Sequence, residues 1–147
     1  MMTERTDLIA LVEALADTRV VCLGDVMLDT FVHGEVERIS PEAPIPVLRV
    51  TGETRMLGGE AGVTGDLKTD AGRQTTIKTR FVAGTQQMLR ADRETSRPTA
   101  AGLQDQLAAD AEAAVRDHKV VVLSDYGKGV LADSTLARVI AAAANAG

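Results

Sequence analysis

The stretch from Val20 to Asp29 constrains the fold more than any other part of this sequence. Four apolar residues, two of them β-branched, run directly into Gly24-Asp25. Such a run predicts a strand that is buried on both faces and ends at a turn. Ligands of open parallel sheets bind beside the carboxyl ends of the strands, so Asp25 and Asp29 are candidate binding groups. The alternative is that both carboxylates only accept hydrogen bonds from nearby backbone groups, and this stretch leaves both interpretations open.

Composition limits the classes of protein that fit. At 147 residues the chain has the length of one domain, and its net charge of −5 with scattered basic residues argues against a nucleic-acid partner. The single Cys22 excludes an intrachain disulfide and a cysteine metal cluster. No apolar run approaches the roughly 20 residues of a membrane span, and the polar start Met1–Asp7 does not resemble a signal sequence. We therefore expect a cytoplasmic protein without a membrane partner.

The remaining pattern predicts a mixed α/β chain. Helical spacing of apolar residues predicts helices over 7–16 and 102–117, and a last helix that Asp133 or Ser134 caps. A second buried strand, 119–125, again ends in a carboxylate, Asp125.

Two further regions predict extended structure outside the main sheet. Prolines at 41, 44 and 46 exclude a helix interior or a central strand, so residues 30–51 are expected to form two strands of a small projecting sheet. A hairpin over 75–92 follows, rich in β-branched residues at its start. Its basic residues Lys78, Arg80, Arg90 and Arg93 are typical of a solvated face more often than of an anion site.

Six segments together resemble the ribokinase-type (PfkB) sugar kinases. Within that family they are most similar to the D-glycero-D-manno-heptose 7-phosphate kinases. The resemblance covers about residues 18–147 and rests on the order of the segments GDVMLD (24–29), RISPEAPIPV (38–47), MLGG (56–59), TIKTR (76–80), QQMLRADRE (86–94) and LSDYGKGVL (123–131).

The resemblance implies a single partial ribokinase-like domain over 1–147. It would have a central α/β sheet and a small β lid made of about 30–51 and 75–92. It also implies an ATP- and Mg²⁺-dependent kinase that phosphorylates a sugar phosphate at the anomeric position, in the biosynthesis of ADP-heptose for the lipopolysaccharide core. Lids of this kind often pair between subunits, so a homodimer through the lid is expected.

The resemblance also implies roles for six residues in substrate binding. The carboxylate that ends the stretch 20–29 would accept sugar hydroxyls, and two glycines would let the backbone approach the sugar. Two cations would lie near phosphate oxygens, and a strand-end carboxylate would lie near the phosphates. In that order these residues are Asp29; Gly58 and Gly59; Arg90 and Lys128; and Asp125.

The departures from the family pattern are as informative. Residues 58–62 read Gly-Gly-Glu-Ala-Gly, so the sugar-binding Asn of the family is missing, and 62–74 reads as the remnant of an internal deletion. The nucleotide segment and the Gly-Ala-Gly-Asp loop with its general base are also absent. No catalytic residue and no metal ligand is therefore assigned, and the chain alone is expected to be inactive. The alternative function is a non-catalytic module that binds sugar phosphate or another subunit.

Overall fold

The computed structural model describes residues 2–59 and 65–147 and has a mixed α/β architecture, as expected. Three helices and six strands follow one another along the described chain. Their bounds are α1 Met2–Leu15, β1 Val20–Gly24, β2 Val26–Ile39, β3 Pro46–Gly59, β4 Ile77–Ala83, β5 Gln86–Arg93, α2 Ala101–Val115, β6 Val120–Ser124 and α3 Asp133–Ala146.

The two apolar strands predicted from the sequence pair with each other. β1 and β6 run parallel, with Val20 opposite Val120 and Gly24 opposite Ser124. Because Gly24 and Ser124 are the last residues of their strands and lie opposite each other, Asp25 and Asp125 directly follow the carboxyl ends of neighbouring strands. The sequence pattern therefore predicted correctly that Asp25 and Asp125 follow the carboxyl ends of these two strands.

The other four strands form a separate sheet with the order β3-β2-β4-β5. β2 pairs antiparallel with β3 and parallel with β4, and β4 pairs antiparallel with β5. The first hairpin is longer than the predicted 30–51: it spans 26–59, and its proline-rich segment makes the turn between Ile39 and Pro46. The second hairpin, with its turn at Gly84, agrees closely with the predicted 75–92. We call these four strands the lid sheet.

The most deeply buried side chains lie where α2 packs against α3. Val139 and Thr135 on α3, and Ala108 on α2, are almost completely buried. At the edge of this interface Arg138 donates two hydrogen bonds to Glu112, Nε to Oε1 at 2.8 Å and Nη2 to Oε2 at 2.9 Å. Small side chains on α2 allow the two helices to pack closely, which explains how a chain with few aromatic residues builds a core.

Three sequence expectations are wrong in detail. The apolar stripe of α1 is not buried, since the exposed fractions of Leu8, Leu11, Val12 and Leu15 lie between 61% and 66%. Neither β1 nor β6 is buried on both faces, and Val20 and Val120 are each 43% exposed. Both results have one cause: among the described residues each strand of this sheet pairs only with the other, and α2 is the helix that packs against β1.

The third error concerns the start of α3. Its N-cap is Ala132, and no side chain caps the helix, so neither Asp133 nor Ser134 has the predicted role. Asp133 instead lies in the first turn, where a negative charge is favourable. Over residues 2–59 and 65–147, no helix combines the length and apolarity that crossing a bilayer requires.

Candidate functional site

Asp29 lies in the middle of the lid sheet and is held on both sides. It is on β2, opposite Met56 of β3 and beside Lys78 of β4. Its Oδ1 accepts a hydrogen bond from Arg80 Nη1, and its side chain is only 19% exposed. The guanidinium of Arg80 thus orients the Asp29 carboxylate, whose second oxygen, Oδ2, can still accept hydrogen bonds.

Gly58 leaves room for the carboxylate of Asp29. A Cβ built on Gly58 would collide with Asp29 Oδ2, so any side chain at this position displaces the carboxylate. The sequence resemblance explained Gly58 by backbone approach to a sugar. In the structure the glycine also makes room for the Asp29 carboxylate. This close approach explains the glycine at position 58 without reference to a ligand. Gly59 ends β3 opposite Val26.

Arg80 was not assigned to the site from the sequence, although it lies in one of the resembling segments. Its guanidinium carbon is 5.2 Å from the centroid of the Phe31 ring, and its side chain is 22% exposed. The ring and the carboxylate together fix the guanidinium. In the sequence, Arg80 is one of several basic residues of a predicted hairpin, and such a cluster favoured a solvated face. The two-residue spacing of Lys78 and Arg80, which places both on one face of a strand, is the pattern that could have identified it.

Charged residues converge on the face of the lid sheet that carries Asp29. Arg80 lies opposite Arg90 of β5, and Lys78 lies opposite Asp92. Arg90 is exposed and donates to Asp92, Nε to Oδ1 at 2.9 Å. We call this surface the Asp29 face, defined by Asp29, Lys78, Arg80, Arg90 and Asp92.

The turn after β6 contains the other two predicted site residues. Asp125 is exposed, and its Oδ1 accepts a hydrogen bond from the Gly127 N–H at 2.8 Å. One of its two carboxylate oxygens therefore stabilises the turn. Lys128 is only 15% exposed, and its Nζ lies 2.7 Å from Glu94 Oε2. A second cation, Arg73, donates from Nη2 to the Lys128 carbonyl. Glu94, the residue after β5, therefore holds the Lys128 side chain, and Arg73 holds its carbonyl.

A cation–π contact brings this turn to the Asp29 face. Lys78 Nζ is 5.5 Å from the centroid of the Tyr126 ring. The structure thus brings Asp29, Gly58 and Arg90 to one face of one sheet and places the turn of Asp125 and Lys128 at the end of that face. Residues 60–64, which include the start of the predicted deletion remnant, lie outside the described residues.

A buried polar network that sequence reasoning missed supports the turn from behind. Gln104 of α2 donates from Nε2 to the Gly129 carbonyl at 3.1 Å and to Thr99 Oγ1, and its Oε1 accepts from Thr135 Oγ1. Gly129 has a φ of 76°, and a Cβ there would meet the backbone of Arg97. These contacts fix the end of the turn against α2 and α3.

The site is chemically suited to an anionic, hydroxylated ligand. Lys78, Arg80 and Arg90 outnumber Asp29 and Asp92 on the Asp29 face, while Asp29 supplies a positioned acceptor. In the described ranges, 2–59 and 65–147, no group of three or more His, Cys, Asp or Glu side chains is placed to hold a metal ion. Guanidinium and ammonium groups beside a positioned carboxylate can bind phosphate oxygens and hydroxyl groups.

Comparison with known sequences identifies the relatives of the chain. No family model matches it. Curated proteins do: one from Paramagnetospirillum magneticum is 43% identical over 99% of this chain, and one from Rhodospirillum rubrum is 41% identical over 89%. A third, from Caulobacter sp., is 45% identical over 91%. All three belong to a class of bifunctional proteins. Each is named bifunctional protein HldE, and the present chain belongs to this family as a partial member.

The match is partial in two respects. The chain spans only 37%, 34% and 34% of the length of these three relatives. In addition, the first alignment has 182 positions but covers 99% of 147 residues, about 146, which leaves about 36 positions of the relative without a counterpart here. The second has 167 positions against about 131 residues, and the difference is again about 36. This shared difference supports the predicted internal deletion.

Proposed function

We propose that this chain carries the sugar-phosphate-binding side of an ATP-dependent kinase for D-glycero-D-manno-heptose 7-phosphate, which acts in the cytoplasm in ADP-heptose biosynthesis. The observation that supports this most is the half-buried Asp29 carboxylate, fixed by Arg80 and fitted against Gly58. The kinase function rests on the resemblance of the sequence segments and on the membership of the HldE family.

The proposed ligand suits the charges of the Asp29 face. Asp29 Oδ2 would accept hydrogen bonds from sugar hydroxyls, since the other oxygen is already occupied by Arg80. Arg90, with Lys78 and Lys128 nearby, would compensate the charge of the phosphate. Asp125 would accept a hydrogen bond beside the phosphate, with Gly59 at the edge of the sugar.

ATP and Mg²⁺ belong to the proposed reaction of the whole protein. The residues present do not form a site for either, because the sequence lacks the nucleotide segment and the Gly-Ala-Gly-Asp loop, and the described residues hold no acidic cluster. The chain alone is therefore proposed to bind sugar phosphate without transferring a phosphoryl group.

Calorimetric titration with D-glycero-D-manno-heptose 7-phosphate tests this function. We expect saturable binding that Asp29→Ala abolishes and that Asp29→Asn retains in part, because an amide oxygen still accepts a hydroxyl hydrogen bond. Asp133→Ala, which removes a carboxylate from α3 far along the chain, serves as the matched control and should bind as the unchanged protein does. Equal affinity in all four proteins would contradict the proposal.

We further propose that the opposite face of the lid sheet pairs with the same face of a second copy. Its register places apolar side chains together, among them Leu28, Leu57, Phe81 and Leu89. Leu57 and Leu89 are 65% and 59% exposed. The same face borders a cavity of about 600 Å³ that is also lined by Glu53, Arg55 and Arg93, so charged groups lie beside the apolar ones. A self-complementary apolar surface is the usual basis of a twofold dimer.

Sedimentation velocity tests the dimer separately from sugar binding. Leu57→Asp and Leu89→Asp should shift the chain toward the monomer. Ile140→Asp, at an equally exposed position on α3, should not. If all three variants sediment alike, the lid sheet is not the contact.

A further inference from the structure

Lys78 differs from the other three cations near Asp29 in having no carboxylate partner. Among the residues that the structure describes, no Asp or Glu oxygen lies within ion-pair distance of its Nζ. Each of the other three cations is paired with a carboxylate. These pairs are Arg80 with Asp29, Arg90 with Asp92, and Lys128 with Glu94. The half-buried Lys78 is therefore the cation of this site whose charge is not neutralised.

An aromatic ring holds the Lys78 ammonium in place of a carboxylate. Its Nζ lies 5.5 Å from the centroid of the Tyr126 ring, a distance at which a cation is attracted to the face of a ring. The attraction comes from the quadrupole of the ring, so the contact positions the ammonium without neutralising its charge. The ammonium keeps N–H groups that can donate to the oxygens of a phosphate.

Lys128, which the sequence resemblance places near phosphate oxygens, is engaged in a different contact. Its Nζ lies 2.7 Å from Glu94 Oε2, and its side chain is only 15% exposed. A phosphate that bound this ammonium would have to displace the Glu94 carboxylate or lie beside it, where the two negative charges repel each other. Lys128 therefore stabilises the turn that also carries Tyr126, two residues earlier in the chain.

The strand register places Lys78 beside the carboxylate that would accept sugar hydroxyls. Lys78 of β4 is the direct partner of Asp29 on β2, and adjacent strands are about 4.8 Å apart. The Asp29 carboxylate bonds to Arg80, whereas Lys78 Nζ lies at the Tyr126 ring in the turn after β6. One face therefore presents a hydroxyl acceptor and, next to it, a positioned cation. A ligand with hydroxyl groups at one end and a phosphate at the other matches this arrangement.

We propose that Lys78, positioned by the Tyr126 ring, is the residue that recognises the phosphate group and makes the site selective for phosphorylated sugars. The phosphate end of the ligand then lies toward the turn after β6, and the hydroxyl end lies at Asp29. Arg90, on the neighbouring strand β5, supplies a second donor to the phosphate. The inference rests on the proposed sugar-phosphate site and adds the residue that selects the phosphate.

Nuclear magnetic resonance of the lysine side chains tests the phosphate contact without a sugar. The chain has only four lysines, at positions 68, 78, 119 and 128, so replacing each in turn by arginine assigns every ¹³Cε signal. Titration with inorganic phosphate should shift the Lys78 signal saturably. The signal of Lys119, an exposed lysine before β6, should stay unchanged. Sodium chloride at equal ionic strength controls for general screening and should not reproduce the shift.

Calorimetry with D-glycero-D-manno-heptose 7-phosphate measures what Lys78 contributes to affinity. Lys78→Gln should weaken binding roughly tenfold or more, because it removes a charge-assisted donor to the phosphate. Lys78→Arg should restore part of the affinity, and Lys119→Gln should bind as the unchanged protein does. Lys128→Gln should lose less affinity than Lys78→Gln. Tyr126→Leu should lose more than Tyr126→Phe, because phenylalanine keeps the ring that holds the ammonium.

The results separate this inference from the proposed function. A Lys78 signal that responds to inorganic phosphate, in a chain that does not bind the heptose phosphate, would support the phosphate contact and contradict the proposed function. Heptose phosphate binding that a folded Lys78→Gln leaves unchanged would overturn the inference and keep the proposed function. A phosphate shift confined to Lys128, equal shifts of all four lysines, or no shift of Lys78 would also overturn it. The titration uses the unchanged chain, so it remains decisive if Lys78→Gln does not fold.

Discussion

Replacing Gln104 by Leu should destabilise the protein strongly, because Gln104 on α2 bonds to three other segments of the chain. It bonds Thr99 before α2, Thr135 on α3 and the carbonyl of Gly129 after β6. The Gly129 carbonyl keeps a second donor, the Thr99 N–H at 2.9 Å. Within the described part of the chain, the hydroxyls of Thr99 and Thr135 have no second side-chain partner, and Thr135 and Thr99 are 1% and 7% exposed.

The magnitude follows from these two hydroxyls. Leaving a buried polar group without a partner costs about 1–3 kcal/mol, so the loss for the two is on the order of 2–6 kcal/mol. With a urea m-value of about 2 kcal/mol/M, the midpoint of unfolding should fall by roughly 1–3 M. Gln106→Leu, an exposed change of the same chemistry on the same helix, should shift the midpoint little.

A double mutant separates this explanation from simple loss of contacts. Adding Thr135→Val to Gln104→Leu removes one of the unpaired hydroxyls, so the double mutant should be more stable than Gln104→Leu alone. Urea unfolding followed by circular dichroism measures the unchanged protein, Gln106→Leu, the single mutants Gln104→Leu and Thr135→Val, and the double mutant. A midpoint for Gln104→Leu close to that of Gln106→Leu, or a double mutant less stable than either single mutant, would refute the reasoning.

Three further predictions concern other parts of the chain. Gly129→Ala should lower the melting temperature by more than Gly52→Ala, because Gly129 has a φ of 76° and contacts the Arg97 backbone, whereas a Cβ at Gly52 meets nothing within 4 Å; equal melting temperatures would contradict this. The hydrogen bonds from Arg138 lower the pKa of Glu112 below its ordinary 4.5, so their stabilisation is present above the unfolded-state pKa and is lost as the pH falls through the folded-state pKa. Melting temperatures between pH 3 and 7 should therefore fall less steeply on acidification in Glu112→Gln, and parallel curves would rule out this linkage. Finally, the exposed stripe of α1 should cause self-association, so Leu11→Glu should reduce the sedimentation coefficient at tens of micromolar, and an unchanged coefficient would show that α1 is not involved.

Local patterns predicted the strands and helices well, because the same residues that form the pattern cause the chain to adopt that secondary structure. The run at Val20–Gly24 is apolar and β-branched, and it forms a strand. Pro41 and Pro44 cannot continue a strand and lie in the turn of the first hairpin, whereas Pro46 begins the edge strand β3. The carboxylates at 25 and 125 follow two adjacent strand ends because parallel pairing in even register requires it.

Burial was predicted less well, because it depends on which elements pack together, and among the described residues β1 and β6 pair only with each other. Apolar residues in α1 are exposed for want of a described partner, not because their spacing is wrong. A similar limit applies to the site. Arg80 and Gln104 act through contacts with Asp29 and with Gly129, which lie 51 and 25 positions away in the sequence. The spacing of Lys78 and Arg80 indicates only that the two share a strand face, and no local pattern shows which distant residue Arg80 or Gln104 contacts.

The comparison of Gly58→Ala with Gly52→Ala tests most directly whether the site is organised around Asp29. Both glycines lie on β3, but only at Gly58 does an added Cβ collide with the Asp29 carboxylate. The measurement is the affinity for D-glycero-D-manno-heptose 7-phosphate by calorimetry, with the melting temperature of each variant as the check on folding. We predict that Gly58→Ala loses most of its affinity while remaining folded and that Gly52→Ala binds as the unchanged protein does. Equal affinities in two folded variants would contradict a sugar-phosphate site built on this carboxylate.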